Sequence, residues 1–287
     1  MAPVRGYDPV LFDLDGTVVD TVELIVLSFR HAVRTVLGED LSDEHITAGV
    51  GQPLMTQMER LSPEHARELY DVYREYNHRR HDELIRGFDG VAEALAALKS
   101  AGRRLGIVTS KSRDTTDMAF AAVGMREVFD VVVTATDTTA HKPAPEPVLL
   151  CLERLARVRM GQGAEAGPED AGGGSAVGPG CDHGHSMAAS KGGDRRSVAA
   201  PIYIGDSPVD VAAGKAAGIA TAAVAWGVFS REALLGAGPD YWLETPGELV
   251  GLCLDGEGGA ARDVGDGPSE ARDASAASPA PSTSPGS

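Results

Sequence analysis

The sequence predicts an α/β fold, a doubly wound parallel sheet with a small α-helical insert after the first strand, on three observations. Short apolar runs recur, and each leads into polar, chemistry-bearing residues: Val10 to Phe12 before Asp13, Leu105 to Val108 before Thr109, and Ile202 to Ile204 before Gly205-Asp206. Segments with helical apolar spacing alternate with those runs, the pattern of a parallel sheet covered on both faces. From about Asp20 to Phe88 the strand pattern disappears and helical spacing takes over.

Each element has its own local reason. In a strand from Pro9 to Leu14, period two sends Val10, Phe12 and Leu14 to one face and Asp13 to the other, with Asp15 beside it if the chain stays extended. Asp20 to Leu37 carries Leu24, Leu27, Val33 and Leu37 with Glu23, Arg30 and Arg34 between them, an amphipathic helix. Further helices run through Ser62 to Leu84, with Ser62-Pro63-Glu64 as the start signal. The alternation then reads helix over Val91 to Ser100, strand over Leu105 to Val108, helix over Arg113 to Val123 and strand over Val131 to Thr134. A helix over Pro145 to Arg157, a strand over Ile202 to Ile204 and a helix over Val209 to Ala217 follow. In such a Rossmann-like sheet, the loops at the carboxyl ends of the strands form the site.

Four segments fall at those ends. Asp13 and Asp15 repel each other, so the pair calls for a cation between them, a proton on one of them, or both. Gly16 permits a tight turn and Thr17 adds a hydroxyl; a solvated strand end running into a turn is the plainer alternative. Thr109-Ser110-Lys111 reads either as the cap of the next helix or as an anion site at a helix start. Lys142, held among Pro143, Pro145 and Pro147, is either a solvated loop lysine or a fixed ammonium that balances a carboxylate or a phosphoryl oxygen. Asp206 and Asp210 complete an oxygen-rich set suited to Mg²⁺.

With these four segments in this order, the chain resembles the haloacid dehalogenase superfamily, specifically its aspartate-nucleophile phosphohydrolases, over roughly residues 8 to 250. The resemblance implies that Asp13 is the nucleophile, forming an aspartyl-phosphate, and that Asp15 is acid and then base. It implies that Thr109 and Lys142 hold the transferring phosphoryl group. Mg²⁺ would lie on the Asp13 carboxylate, the Asp15 main-chain carbonyl and Asp206, with Asp210 as a direct or indirect partner. Thr17, Ser110 and Lys111 are candidate substrate contacts. The second aspartate argues against a carbon–halogen substrate. The helical insert resembles the cap of this superfamily, which closes over the site.

The domains expected are a core of residues 1–19 and 89–254, a cap of residues 20–88 and a disordered tail of residues 255–287. Within the core, 160–199 reads as a low-complexity loop; its Cys181, His183 and His185 lack anything to orient them, so adventitious or no metal binding is expected there. A formal net charge of −16 argues against nucleic acid, and no apolar stretch approaches the length of a membrane span. Three scattered cysteines and the absence of a signal-peptide core at the start predict a cytoplasmic enzyme, monomer or homodimer.

The cap must set the substrate. Tyr73-Arg74-Glu75-Tyr76-Asn77, His81-Asp82-Glu83-Leu84, the stretch from Leu105 to Thr115 and Lys142 to Val148 resemble the bacterial inorganic pyrophosphatases of the superfamily, whose near relatives are phosphoglycolate phosphatases. Pyrophosphate is the expected substrate and 2-phosphoglycolate or another small phosphomonoester the rival, ahead of a phosphosugar mutase or a non-catalytic phosphate-binding protein. Donors to an anionic product are sought among Arg74, His78, Arg79, Arg80 and His81, and in the loop with Gly51 and Gln52.

Overall fold

The computed structural model describes residues 6–47, 49–159 and 199–256. Strand β1 (Tyr7–Phe12) is the centre of the molecule. Two short strands, β2 (Val19–Asp20) and β3 (Arg86–Gly87), pair with each other, antiparallel, as a ribbon outside the main sheet. β4 (Leu105–Val108), β5 (Val131–Val133), β6 (Ala200–Gly205), β7 (Ala220–Val224) and β8 (Tyr241–Leu243) join β1 in a six-stranded sheet of order β5-β4-β1-β6-β7-β8. All of its pairings are parallel. With the ribbon set aside this is the doubly wound order, whose direction reverses between β1 and β6; ligands bind at that crevice.

Alternation along the strands builds the two faces. Val10 lies opposite both Leu105 and Ile202, and Phe12 opposite Ile107 and Ile204. These residues pack with Leu95 and Leu98 of α5 (Val91–Ser100), Phe120 of α6 (Arg113–Val123) and Leu252 of the last helix, Glu248–Asp255. Leu11, Val108 and Tyr203 point the other way, onto Val148, Cys151 and Leu155 of the helix Glu146–Arg159. Each large apolar side chain so buried contributes about 1.5–3 kcal/mol.

Four helices precede α5: α1 (Val22–Val36), α2 (Asp43–Thr47), α3 (Leu54–Leu61) and α4 (Ala66–Leu84). They enclose an apolar cluster of their own, with Phe29, Val33, Met58, Leu69 and Tyr73 at its centre. Phe29 and Tyr73 meet edge to face at 4.9 Å, and Asn77 Nδ2 donates to Ser28 Oγ at 3.2 Å beside them. In chain order the helices after α6 are α7 (Glu146–Arg159), α8 (Pro208–Ala216), α9 (Arg231–Gly236) and α10 (Glu248–Asp255).

The alternating α/β class stands, and several local expectations change. Ser62 ends α3 instead of starting α4; a turn over 63–65 intervenes and α4 begins at Ala66. Most strand and helix ends move by one to three residues, because hydrogen bonding sets them and apolar spacing does not. β7 was not foreseen: Ala220, Ala222 and Ala223 carry little strand signal, and only burial within the sheet holds them extended. The two-residue ribbon is too short to show alternation. Asp255, expected to open the tail, closes α10, whose Leu249, Leu252 and Cys253 are buried against the core. The low-complexity expectations for 160–198 and 257–287, with the Cys181, His183 and His185 group, lie outside the described residues. Among the described residues no helix is long and apolar enough to cross a membrane.

Candidate active site

The chain leaves β1 at Asp13 and turns sharply at Gly16, which has φ +77°. A Cβ there would stand 2.2 Å from an Asp206 oxygen, so only glycine lets the first loop approach the loop after β6 this closely. That approach brings three carboxylates together. One oxygen from each of Asp13, Asp206 and Asp210 lies within 4.8 Å of the others, and all three residues are buried.

Lys142 enters from the loop before α7. Its Nζ donates to Asp13 Oδ1 at 2.8 Å and to Asp210 Oδ1 at 2.7 Å, with the side chain 1% exposed. Burial alone would pull the Lys142 pKa down, yet the charges of Asp13 and Asp210 carry it upward. Burial, and next the charge of Asp210, pushes Asp13 up to about 7 against the pull of Lys142. Burial and the charges of Asp13 and Asp210 likewise raise Asp206 well above the ordinary carboxylate range.

The two acids after β6 differ in surroundings. Among the described residues, Asp206 accepts from Val228 N at 3.1 Å and, distantly, from Thr17 Oγ1 at 3.4 Å. Asp210 is crowded: Oδ2 accepts from Ser207 N and Oγ, while Oδ1 faces Lys142 and the Tyr203 hydroxyl at 3.0 Å. Ser207 Oγ in turn accepts from Asp210 N, a reciprocal capping box that opens α8. Asp210 therefore holds Lys142 and the helix start, and Asp13 and Asp206 are the carboxylates with capacity left for a cation. Three buried carboxylates against one ammonium leave an excess of negative charge in a hard-oxygen set, which fits a small divalent ion.

A cavity of about 240 Å³ opens above this group. Asp13, Asp15, Ser110, Lys111 and Lys142 line one side, and Gly51, Gln52, Tyr73, Arg74 and Asn77 belong to the helical side. Asp15 Oδ1 is held by Thr21 Oγ1 at 2.6 Å and by Lys111 Nζ at 2.7 Å. The Asp15 carboxylate thus stands apart from the three-acid cluster. Thr109 is buried at the end of β4, its Oγ1 accepting the Lys111 N–H at 3.2 Å, and Ser110 Oγ donates to the Gly51 carbonyl at 2.7 Å. Gln52 lines the cavity while its amide oxygen accepts from Arg60.

Three of the expected substrate contacts are placed elsewhere. Thr17 is buried against Asp206 and does not line the cavity. Arg79 lies on the outer face of α4, paired with Glu75 and over the Tyr76 ring, because five residues beyond Arg74 the helix has turned that side chain away. His81 shares the face of Tyr73 and Asn77 but sits a turn beyond the cavity, 1% exposed, with Nδ1 on Asp82. Arg74, on the helical side, is the arginine that the structure brings to the cavity. Thr21 and Ser207 escaped the sequence reading, although Ser207-Pro208-Val209-Asp210 carries a capping-box spacing that could have been recognised.

Residues 10–160 match the sequence model of the haloacid dehalogenase-like hydrolases. The chain belongs to that family. A second model of haloacid dehalogenase-like hydrolases matches residues 185–249. A pyrophosphatase PpaX from Bacillus velezensis is 36% identical over 241 residues, 84% of this chain and 94% of the relative. The PpaX of Bacillus pumilus is 32% identical over 85% of this chain and 94% of its own. Among solved structures, a haloacid dehalogenase-like hydrolase from Streptococcus pneumoniae superposes with a TM-score of 0.61 at 22% identity, covering 85% of this chain and 97% of the other. As a member of that family, the chain is a hydrolase.

Proposed function

We propose that this hydrolase is a Mg²⁺-dependent phosphohydrolase that works through an aspartyl-phosphate on Asp13, with inorganic pyrophosphate as its preferred substrate. The observation that carries the reading is the buried Asp13–Lys142 pair on the floor of the cavity, with Asp15 lining the same cavity. The substrate preference is supported by the relatives named pyrophosphatase at 32–36% identity.

Asp13 and Asp206, with the main-chain carbonyl of Asp15, would hold the metal. When bound, Mg²⁺ supplies the positive charge that lets an anionic nucleophile meet an anionic phosphate. Lys142 offsets the charge of Asp13 and keeps its oxygen aimed by sharing it with Asp210. A carboxylate oxygen of Asp13 forms a bond to phosphorus as the bond from phosphorus to the leaving oxygen breaks, and Asp15 passes its proton to that oxygen. Water then attacks phosphorus, the Asp13–phosphorus bond breaks, and Asp15 takes the proton of the water. Thr109, Ser110 and Lys111 receive the phosphoryl oxygens. An arriving phosphoryl group draws Lys111 away from Asp15 and leaves that carboxyl free for its proton.

Helices α1 to α4, residues 20–88, act in this proposal as the cap, with the β2–β3 ribbon as the two strands that connect it to the core. Their buried apolar cluster lets them move as a unit, and the contact of Ser110 with Gly51 links them to the sheet side.

Phosphate release with Mg²⁺ tests this, comparing kcat/KM for pyrophosphate, 2-phosphoglycolate and a set of sugar phosphates, with Asp13→Asn as the blank. Preference for pyrophosphate by roughly tenfold, about 1.4 kcal/mol of transition-state binding, is the expected result. Preference for 2-phosphoglycolate would replace the substrate and keep the chemistry. Undiminished turnover by Asp13→Asn would overturn the nucleophile.

A further inference from the structure

We infer that Arg74 is the specificity-determining residue that grips the anionic leaving group, and that Asp114 occupies its guanidinium until that anion arrives. The inference rests on the phosphohydrolase reading above and extends it to the far end of the substrate.

Charge placement in the cavity leads to this assignment. Of the cations lining the cavity, Lys142 is committed to Asp13 and Asp210, and Lys111 to Asp15. Arg74 stands on the opposite side, on α4, where Phe29, Leu54, Met55 and Tyr73 make the surrounding wall apolar. A charge beside low-dielectric walls acts strongly on whatever enters. An uncharged leaving group would gain nothing from it. The second phosphate of pyrophosphate or the carboxylate of 2-phosphoglycolate presents two oxygens, which matches the fork of a guanidinium.

Arg74 is presented for this. Its NH1 donates to the Tyr70 hydroxyl at 3.1 Å, and NH2 lies 3.3 Å from His78 Nε2 and pairs with Asp114 in the first turn of α6. Tyr70 and His78 flank the guanidinium from one helix, so its position survives the loss of Asp114. The Asp114 side chain is 54% exposed. An ion pair so open to water is weak, and an anion inside the cavity outcompetes it. Ser112 Oγ donates to Asp114 at 2.5 Å, so the carboxylate keeps a partner when Arg74 turns inward.

The test is steady-state hydrolysis with Mg²⁺ by wild type, Arg74→Ala, Arg74→Lys and Asp114→Asn, on pyrophosphate and on phenyl phosphate, whose leaving group departs as neutral phenol. Arg74→Ala should lower kcat/KM for pyrophosphate about 100-fold and change phenyl phosphate less than about threefold. Arg74→Lys should recover part of the loss, as a point charge without the fork. Asp114→Asn should lower KM for pyrophosphate and leave phenyl phosphate unchanged. Equal losses on both substrates, or no loss on pyrophosphate, would overturn the inference. If Arg74→Ala fails to fold, the same substrate contrast is read from Arg74→Lys. Wild type active on phenyl phosphate alone would sink the leaving-group role and keep the phosphohydrolase; wild type inactive on both would sink both.

Discussion

Lys142 concentrates the electrostatics of the site in one side chain. It is buried, donates to two carboxylates, and has a third within reach of the same cluster. Removing a buried charge that others depend on costs about 3–5 kcal/mol, since the partners stay buried without compensation. Lys142→Met, close in shape and uncharged, should therefore lose nearly all phosphate release and unfold at lower urea in chelator at pH 8. The stability loss should shrink toward pH 5, where Asp13, pushed up to about 7, has taken a proton and no longer needs the ammonium. A loss that is the same at both pH values would show that Lys142 acts by packing. The sequence offered Lys142 as a fixed ammonium and its prolines as the frame; that it serves Asp13 and Asp210 together depends on three loops meeting.

The helix α8 shows how one element carries function through its cap. Ser207 accepts from Asp210 N and donates to Asp210 Oδ2, so the cap that starts the helix also aims the carboxylate that holds Lys142. Ser207→Ala should cost about 1–2 kcal/mol by chemical denaturation and lower kcat several-fold, with Ser207→Thr restoring much of both. Ser230 caps α9 by accepting from Ala233 N and does not line the cavity, so Ser230→Ala should cost comparable stability and leave kcat unchanged. Equal activity in the two alanine variants would separate the cap from the site. The capping box was legible as a spacing. Its reading as a cap rather than a ligand pair was not, because Asp at that position satisfies either chemistry until the partners are known.

Across the whole molecule, the acidic cluster should couple stability to pH and, with the proposed ion bound, to metal. A carboxyl raised from 3.8 to about 7 favours the folded state while it is protonated, and that contribution is lost as pH climbs through about 7. Asp206 is shifted the same way. In chelator, the melting temperature should therefore fall between pH 5 and pH 8, and Mg²⁺ should raise it more at pH 8, where Asp13 is ionised and needs a cation. Asp114 and Asp137, both lowered, titrate below this window and leave the comparison intact. A Mg²⁺ increment independent of pH would show that the ion binds elsewhere. The arrangement that creates this linkage comes from the sheet order, since β1 and β6 are neighbours at its reversal and each ends in an acid of the cluster.

The sequence by itself determined the alternating α/β class and the helical insertion, and it singled out the candidate reacting groups, because apolar periodicity and residue chemistry are local properties. Asp13, Asp15, Lys142 and Asp206 were singled out by the four motifs standing in order, each at the end of an apolar run or among prolines. The tertiary structure alone decided which side chains share space. Helical rotation selected Arg74 over Arg79 and packed His81 beyond the cavity, and the approach of three loops turned Asp210 toward Lys142 and Thr17 toward Asp206. It also made a strand of the alanine-rich β7, where burial between neighbours overrides weak propensity. Spacing along a chain states what a residue can do, and only the folding of distant segments onto one another states what it meets.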